Sequence, residues 1–379
     1  MTNMKKKSGS IEYTEAFLKS NKDYHYNLQE TAEPYLVSSG SMILDHVLGG
    51  GFGSGLHRFL GANEGGKTNE ALHVMHNMLK TVENSKGLFV MAEGRLSKEI
   101  KDRAGIKFVH SAADWVIGTC LVLECHIMDT MIDFLRGLVK NNTDKEKYCI
   151  VIDSMDGLIT KEDLEKGSSD ARKVAGGALM TSDFLKRISL GMSKFGHMCI
   201  MISQVRSTIS TSMYAKQDPN NQTNSSGGNA ILHYPDWILE FKKQNKSDKI
   251  LEKPKEQIHA DNKIYGHNAK VAILKSTNES TGRLVFYPIK HGRKNGRSIW
   301  VEREVVDMLL MWGYLDKSGA WIKVDDKVKS YLQDNNIEIK DSYQGINAVY
   351  ELLESDEKIT SLLVDFVKEN ILSNDISVC

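Results

Sequence analysis

Short apolar runs alternate with longer amphipathic stretches from about residue 35 to about residue 241. Four of the runs have the length of a strand: 56–60, 87–93, 148–154 and 197–203. The stretch 71–79 instead repeats apolar residues at helical spacing, which predicts a helix. Nearly continuous apolar strands that alternate with helices are typical of a parallel sheet covered on both faces. The pattern therefore predicts an α/β domain with a mostly parallel, twisted sheet flanked by helices.

The two ends of the chain depart from this pattern. Residues 1–33 are polar, with one modest amphipathic piece around Tyr13 and Phe17, so this segment cannot build a core of its own. It is either a loose tail or an arm that packs on something else, including a neighbouring subunit. Residues 325–379 show helical periodicity and predict a small helical C-terminal domain, which leaves 34–324 as the core.

Residues 61–68 read Gly-Ala-Asn-Glu-Gly-Gly-Lys-Thr and fit the pattern G-x-x-x-x-G-K-[ST] between a predicted strand and a predicted helix. Glycines in such a turn let backbone N–H groups wrap phosphates, and the helix N-terminus adds positive potential. Lys67 would reach the β- and γ-phosphates, and the Thr68 hydroxyl would ligate Mg²⁺. The candidate nucleotide-binding residues are Gly61, Asn63, Glu64, Gly65, Gly66, Lys67, Thr68 and Asn69. Glu64 would have to point outward, since a carboxylate beside a triphosphate is unfavourable.

The apolar run at 148–152 ends in Asp153 and Ser154. A buried parallel strand of this form delivers an acid to the nucleotide edge of a sheet, as a Walker B element does. Together with the upstream glycine loop, it predicts that Asp153 holds the Mg²⁺ shell and that Ser154 lies at the nucleotide. The predicted cofactors are ATP and Mg²⁺, with Thr68 and Asp153 as the metal-site residues.

Lysine and arginine number 49, and aspartate and glutamate also number 49, so the formal net charge is zero. Any nucleic-acid binding must therefore come from local patches of charge rather than from the field of the whole protein. The five cysteines form no Cys-x-x-Cys pair, and no apolar run resembles a signal sequence or a membrane span. These features predict a cytoplasmic protein with reduced thiols and no membrane partner.

Two charged stretches lie outside the nucleotide pattern. Residues 242–263 alternate lysines with acidic residues and predict a solvated hairpin or loop. Residues 290–297 read Lys-His-Gly-Arg-Lys-Asn-Gly-Arg, a denser basic run with turn glycines. The hypothesis for this second run is that it contacts DNA, for example an incoming duplex.

A long polar segment follows the strand that ends in Gln204, and it closes on Gly-Gly-Asn-Ala at 227–230. With this feature the chain resembles the RecA family of DNA strand-exchange recombinases, from about residue 35 to about residue 324. The resemblance rests on these segments: 37–45, 61–68, 89–93, 150–154, 202–206, 227–230, 270–275 and 319–321. It implies a RecA-like P-loop NTPase core. The flanking segments match poorly, which favours a phage-encoded, UvsX-like branch and, with it, the host cytoplasm.

The resemblance implies roles for four catalytic residues: Glu93, Lys67, Gln204 and Lys275. Glu93 would polarise the water that attacks the γ-phosphate, and Gln204 would sense that phosphate and couple it to the DNA loop. The alternative for Glu93 is a surface carboxylate without a catalytic role. The alternative for Gln204 is an ordinary polar residue at the end of a strand. ATP lies between subunits in this family, so the neighbour would supply Lys275. The second such lysine falls on Thr277, which puts the rate of hydrolysis in doubt.

The resemblance also implies where DNA binds. The first DNA loop would lie within 167–177 and the second would follow Gln204. The candidate DNA-binding residues are Arg172, Lys173, Val174, Lys186, Arg206, Ile209, Gly227, Gly228 and Asn229. Cations on phosphates, apolar wedges and close backbone approach would bind single strands with little sequence preference and strong salt dependence. Ser97 and Ile100, which would flank the adenine, differ from the bacterial pattern.

The function that the resemblance implies is that of an ATP-dependent recombinase, with DNA-stimulated ATP hydrolysis. It would form helical filaments on single-stranded DNA and exchange strands with a homologous duplex, and single-strand-binding and loader proteins are candidate partners. A hexameric DNA helicase with the same core fold is one alternative. A DNA-binding filament protein that uses ATP as a switch, with little hydrolysis, is the other.

Overall fold

The computed structural model describes residues 9–22, 27, 29–94, 96–165, 175–204, 230–253, 258 and 262–372. In this part of the chain, ten strands form one sheet in the order β10, β9, β7, β1, β6, β5, β2, β4, β3, with β8 paired to β9. The strands are β1 Gly55–Gly61, β2 Ser85–Met91, β3 Lys107–Val109, β4 Thr119–Glu124, β5 Lys147–Asp153, β6 Met198–Gln204, β7 Trp237–Phe241, β8 Lys249–Leu251, β9 Ile264–Lys275 and β10 Leu284–Lys290. The strands from β3 to β7 in this order pair in parallel, whereas β8, β9 and β10 add antiparallel pairs. The predicted α/β fold with a mostly parallel sheet is confirmed.

The described helices cover both faces of the sheet and build most of the C-terminal end. They are α1 Gly9–Ser20, α2 Met42–Leu48, α3 Lys67–Thr81, α4 Lys98–Ala104, α5 Met128–Lys140, α6 Lys161–Glu165, α7 Ala175–Lys194, α8 Ala230–His233, α9 Val301–Met311, α10 Asp326–Asp334, α11 Ile346–Ser355 and α12 Glu357–Val367. Among the helices described, none is both long and apolar enough to cross a membrane.

The sheet separates two apolar layers because successive side chains of a strand point to opposite faces. In β5, Cys149 and Val151 pack in the layer that contains α2 and α3, whereas Ile150 and Ile152 pack in the layer that contains α5 and α7. This double burial explains why the central strands are continuous apolar runs in the sequence.

A third apolar cluster joins α9 to the C-terminal helices. It includes a three-stranded antiparallel sheet of β11 Leu315–Ser318, β12 Trp321–Val324 and β13 Ser342–Gln344. The C-terminal unit is therefore helical, as its periodicity predicted, with a small sheet that the periodicity did not predict. The proposed boundary after residue 324 falls between β12 and α10, inside this cluster.

Two buried carboxyls lie where α2, α3, β10 and α9 meet. Glu70 is 2% exposed and accepts a hydrogen bond from the Tyr287 hydroxyl at 2.9 Å. Glu304 is 1% exposed and accepts hydrogen bonds from the Ser41 hydroxyl and, at 3.0 Å, from the Met42 backbone N–H. Burial raises the pKa of Glu70 and of Glu304 to about 8, because the charged form loses its hydration. Helix α9, which packs in the third apolar cluster, is thus linked to the start of α2 through a buried polar contact.

We expect the Glu70→Gln variant to be more stable than the wild type at about pH 8, with a smaller loss of stability as pH rises from about 5. A folded-state pKa above the ordinary value of 4.5 means that the folded protein holds a proton that the unfolded chain releases. Each such group lowers the free energy of unfolding by up to about 1.4 kcal/mol per pH unit in this window. Glutamine keeps the acceptor for Tyr287 and has no proton to lose. Chemical denaturation across the pH range measures the slope.

The matched control is Glu83→Gln, since Glu83 is exposed just beyond the C-terminal end of α3. This variant should keep the wild-type dependence of stability on pH. An unchanged slope in Glu70→Gln would show that Glu70 does not hold its proton in the folded protein.

Candidate nucleotide-binding site

Four neighbouring parallel strands, β1, β6, β5 and β2, end at the same edge of the sheet. Gly61 at the end of β1 pairs with Gln204 at the end of β6, and Met91 at the end of β2 pairs with Asp153 at the end of β5. Glu93 follows β2 by two residues, and its backbone N–H donates to the Asp153 carbonyl at 3.3 Å. The sheet register alone therefore brings the glycine loop, Asp153, Glu93 and Gln204 together.

The glycine loop joins β1 to α3 as predicted. Gly61 has a φ of +144°, and a Cβ at this position would lie 2.1 Å from the Phe241 carbonyl oxygen, so only glycine fits there. Asn63 and Glu64 are exposed, which is the outward orientation that the charge of Glu64 requires. The Lys67 ammonium donates to the carbonyls of Gly61 at 3.0 Å and Ala62 at 2.7 Å and thereby closes the loop on itself.

The N-terminal end of α3 offers donors to an anion. Gly66 precedes the helix with a φ of +98°, makes no side-chain cap and would have open space around a Cβ. Backbone N–H groups in the first turn of a helix lack intrahelical partners and attract phosphate. Asn69, which was expected at the nucleotide, donates to the Ser298 hydroxyl at 3.3 Å.

The predicted metal-site residues are in direct contact. The Thr68 hydroxyl donates to Oδ2 of Asp153 at 2.7 Å. Burial raises the pKa of Asp153, and the nearby carboxylate of Glu93 raises it further, while the hydrogen bond from Thr68 opposes the rise. Burial lowers the pKa of Lys67, although the neighbouring carboxylates oppose this. A hydroxyl and a carboxylate oxygen are ligands that Mg²⁺ accepts, so the pair fits a magnesium–phosphate complex.

Glu93 is the point at which the site connects to β6. Its Oε1 accepts hydrogen bonds from the Ser154 hydroxyl at 2.7 Å and from Nε2 of Gln204 at 3.0 Å. Ser154 is fully buried, so this residue orients Glu93. The backbone N–H of Gln204 donates to Oδ2 of Asp156 at 2.7 Å. The arrangement connects a carboxylate at the nucleotide edge to the residue that precedes the long polar segment.

Comparison with known proteins identifies the chain. The model of the RecA N-terminal domain matches residues 24–281, about two thirds of its length. The chain belongs to the RecA family. The protein RecA of Mesoplasma florum is similar to it, with 26% identity over 91% of this chain and 91% of the relative. The protein RecA of Chlorobaculum parvum has 24% identity over 88% and 83% of the respective chains, and that of Macrococcus caseolyticus has 26% over 79% and 77%.

The RecA-family match covers every nucleotide-site residue described above, and it also covers Lys275. Lys275 lies at the opposite edge of the sheet, because β9 runs antiparallel to β7 and pairs Lys275 with Ile238 near the start of β7. Its ammonium donates to the carbonyls of His233 at 2.5 Å and Pro235 at 2.7 Å. Lys275 is therefore remote from the glycine loop of its own chain. Thr277 is exposed in the turn that follows.

Most of the DNA-binding residues predicted from the RecA resemblance lie outside the described residues: Arg172, Lys173, Val174, Arg206, Ile209, Gly227, Gly228 and Asn229. Lys186 is described and is exposed on α7. Of the two residues expected at the adenine, Ser97 caps α4, because its hydroxyl accepts a hydrogen bond from the Ile100 backbone N–H at 3.3 Å. Ile100 packs against the apolar layer that contains α2 and α3.

The basic run 290–297 is paired with acidic side chains in the structure. Arg293 contacts Glu302 at 2.8 Å and Glu354 at 3.1 Å, and Lys290 also contacts Glu354. The other pairs are Lys294 with Asp102 at 2.9 Å and Arg297 with Glu357 at 2.6 Å. These contacts attach the run 290–297 to α4, α9, α11 and α12. The DNA hypothesis for this run stays a prediction, and the observed pairs favour a structural role.

The charged stretch 242–263, predicted as a hairpin or loop, contains β8 on the antiparallel side of the sheet. Its Asp248 forms an ion pair with Lys270 of β9 at 2.6 Å. This pair and the backbone pairing of β8 give part of the stretch a structural role.

Sequence reasoning missed two polar residues beside the site, Asp156 and Arg58. Asp156 accepts from Gln204, and the fully buried Arg58 in β1 donates from Nε to the Ser203 hydroxyl at 3.0 Å. A signal was present for Arg58, since an arginine inside an otherwise apolar strand needs a partner. For Asp156 the signal was a second acid three residues after Asp153.

We expect Thr68→Val to bind ATP with little dependence on Mg²⁺, because valine keeps the shape of threonine and removes the hydroxyl that meets Asp153. The gain in affinity that Mg²⁺ confers should fall by about tenfold or more, as expected when one ligand of a magnesium–phosphate complex is lost. Titration of a fluorescent ATP analogue with and without Mg²⁺ measures this gain in affinity. Thr68→Ser, the matched control, should keep the gain, and a full gain in Thr68→Val would exclude Thr68 from the metal site.

Proposed function

We propose that this RecA-family protein is an ATP-dependent recombinase that forms helical filaments on single-stranded DNA and exchanges strands with a homologous duplex. The observation that carries the proposal is the hydrogen bond between Gln204 and Glu93. It connects the carboxylate expected to act in hydrolysis with the residue that begins the predicted DNA segment. A change at the γ-phosphate can therefore alter the position of that segment, and DNA bound there can alter hydrolysis.

The residues of the site divide the chemistry among them. Lys67 would exchange its loop carbonyls for phosphate oxygens, and the first-turn N–H groups of α3 would hold the same phosphates. Mg²⁺, held by Thr68 and Asp153, would neutralise charge on the phosphates. Glu93 would accept a hydrogen bond from the attacking water and orient it, while Ser154 keeps Glu93 in place. Lys67 and the bound cation would favour the charged form of Asp153 against its burial.

The location of Lys275 supports a site completed by a neighbouring subunit. Lys275 lies at the sheet edge opposite its own glycine loop, so it would act on the ATP of the next subunit. The N-terminal arm supports assembly as well. Helix α1 buries no residue, and Tyr13 is 72% and Phe17 52% exposed on it. We propose that residues 1–33 pack on a neighbouring copy, with 34–324 as the core and 325–379 as the C-terminal domain.

The poor match of the segments that flank the core supports placing the chain in the phage-encoded branch. Thr277, in place of a second inter-subunit lysine, supports a slow hydrolysis step. The filament protein that uses ATP only as a switch is therefore the second candidate function.

The first experiment measures ATP hydrolysis with and without single-stranded DNA, with electron microscopy of the same samples. The proposal expects DNA-stimulated turnover and open helical filaments. Filaments without turnover would favour the switch function, and closed rings would favour a helicase. A Glu93→Gln control should keep ATP binding and filaments but lose turnover by about a hundredfold or more, because the amide cannot accept a proton from water.

A mixing experiment tests the role of Lys275 in the neighbouring site. Lys67→Ala and Lys275→Ala should each be nearly inactive alone. An equal mixture should regain about a quarter of wild-type turnover, because random assembly puts both intact lysines at one interface in roughly a quarter of the sites. No recovery, with both variants folded and assembled, would place the two lysines in the same chain's site.

A further inference from the structure

Arg58 is a fully buried arginine in the central strand of the sheet. Its side chain is 0% exposed and lies on the face of β1 that also carries Leu56, beneath α7. Nε donates to the Ser203 hydroxyl at 3.0 Å. Within the part of the chain that the structure describes, Nη1 and Nη2 have no hydrogen-bond partner. A buried guanidinium with unused donors costs folding free energy, so a purely structural role does not explain it.

The end of β6 is held from both sides. Arg58 holds Ser203, and Asp156 accepts the backbone N–H of the next residue, Gln204, at 2.7 Å. The side chain of Gln204 is bound in turn to Glu93. Every one of these contacts lies within two residues before the segment that starts at 205.

Asp156 lies within electrostatic reach of two cations. Its charge favours the charged guanidinium of Arg58, whose pKa burial lowers to about 10, and it favours the charged ammonium of Lys67 as well. Lys67 belongs to the glycine loop, and Arg58 belongs to the strand that leads into it. Asp156 thus contacts the end of β6 through Gln204, and its charge influences Lys67 in the glycine loop.

We propose that Arg58 and Asp156 are positioning residues that together couple occupancy of the nucleotide site to the segment after Gln204. When phosphates draw Lys67 towards them, Asp156 loses a neighbouring cation. The carboxylate of Asp156 is then attracted mainly by the guanidinium of Arg58. The Nη donors of Arg58, which have no partner among the described residues, can then approach Asp156, and the backbone of Gln204 moves with that carboxylate. This inference rests on the proposed function for the identity of the ligand, ATP, and deepens it by naming the linkage.

The test is limited trypsin digestion of the full-length protein, with mass spectrometry of the cut after Arg206, with and without a non-hydrolysable ATP analogue. In the wild type the analogue should change the rate of this cut at least about fivefold, a free-energy coupling of ordinary size. Arg58→Met and Asp156→Asn should abolish that change while still binding the analogue. The double variant should behave like either single one, since the two residues act as a unit.

Thermal stability separates positioning from structure. Arg58→Met replaces a buried charge by an apolar side chain of similar length, and its Tm should be equal to or above that of the wild type. Arg58→Lys keeps the charge and should retain part of the nucleotide response. A lower Tm for Arg58→Met together with an unchanged nucleotide response would overturn the proposal, and so would a wild-type cut that does not respond to the analogue.

Failure of this proposal is distinguishable from failure of the proposed function. DNA-stimulated hydrolysis and filaments in the wild type test the function alone. If these are present and Arg58→Met keeps the same ratio of DNA-stimulated to basal turnover, the function stands and the linkage through Arg58 is wrong. If the linkage holds, that ratio falls towards one in Arg58→Met.

Discussion

The site depends on the parallel pairing of four strands that end at one sheet edge. Gly61 pairs with Gln204 and Met91 pairs with Asp153, so backbone hydrogen bonds determine where the catalytic groups lie. A shift of one residue in either pairing would turn every side chain of that strand to the other face. Register is well specified here because both faces of these strands are buried. The apolar core and the geometry of the site are consequences of the same pairing.

The electrostatics of this edge suit an anionic ligand that carries a cation, because carboxylates and the Lys67 ammonium lie in one site. The charges of Asp153, Asp156 and Glu93 all favour the charged form of Lys67, which burial disfavours. Burial raises the pKa of Asp153, and the nearby carboxylate of Glu93 raises it further. A group whose charge is disfavoured by burial gains most from a nearby cation. A bound Mg²⁺ and Lys67 would therefore both favour the charged form of Asp153.

The strands, the glycine loop and the meeting of Thr68 with Asp153 could all be predicted, because apolar runs and a spaced motif carry this information locally. The separate roles of Glu93 and Gln204 came from the family resemblance. Their hydrogen bond was not predicted, since more than a hundred positions separate the two residues in the sequence. The partners of the basic run could not be predicted at all. Its arginines and lysines form ion pairs with carboxylates of helices that only the tertiary packing brings near. The sequence pattern of a charged run is the same whether its side chains are solvated or paired.

Three buried polar side chains each connect two elements of the fold. Glu70, Glu304 and Arg58 are at most 2% exposed, and each forms a hydrogen bond to another element of the fold. Glu304 joins α9 to the start of α2, and Arg58 joins β1 to the end of β6. Polar contacts of this kind restrict how the two elements can pack, because a buried donor or acceptor that loses its partner costs about 1 to 3 kcal/mol.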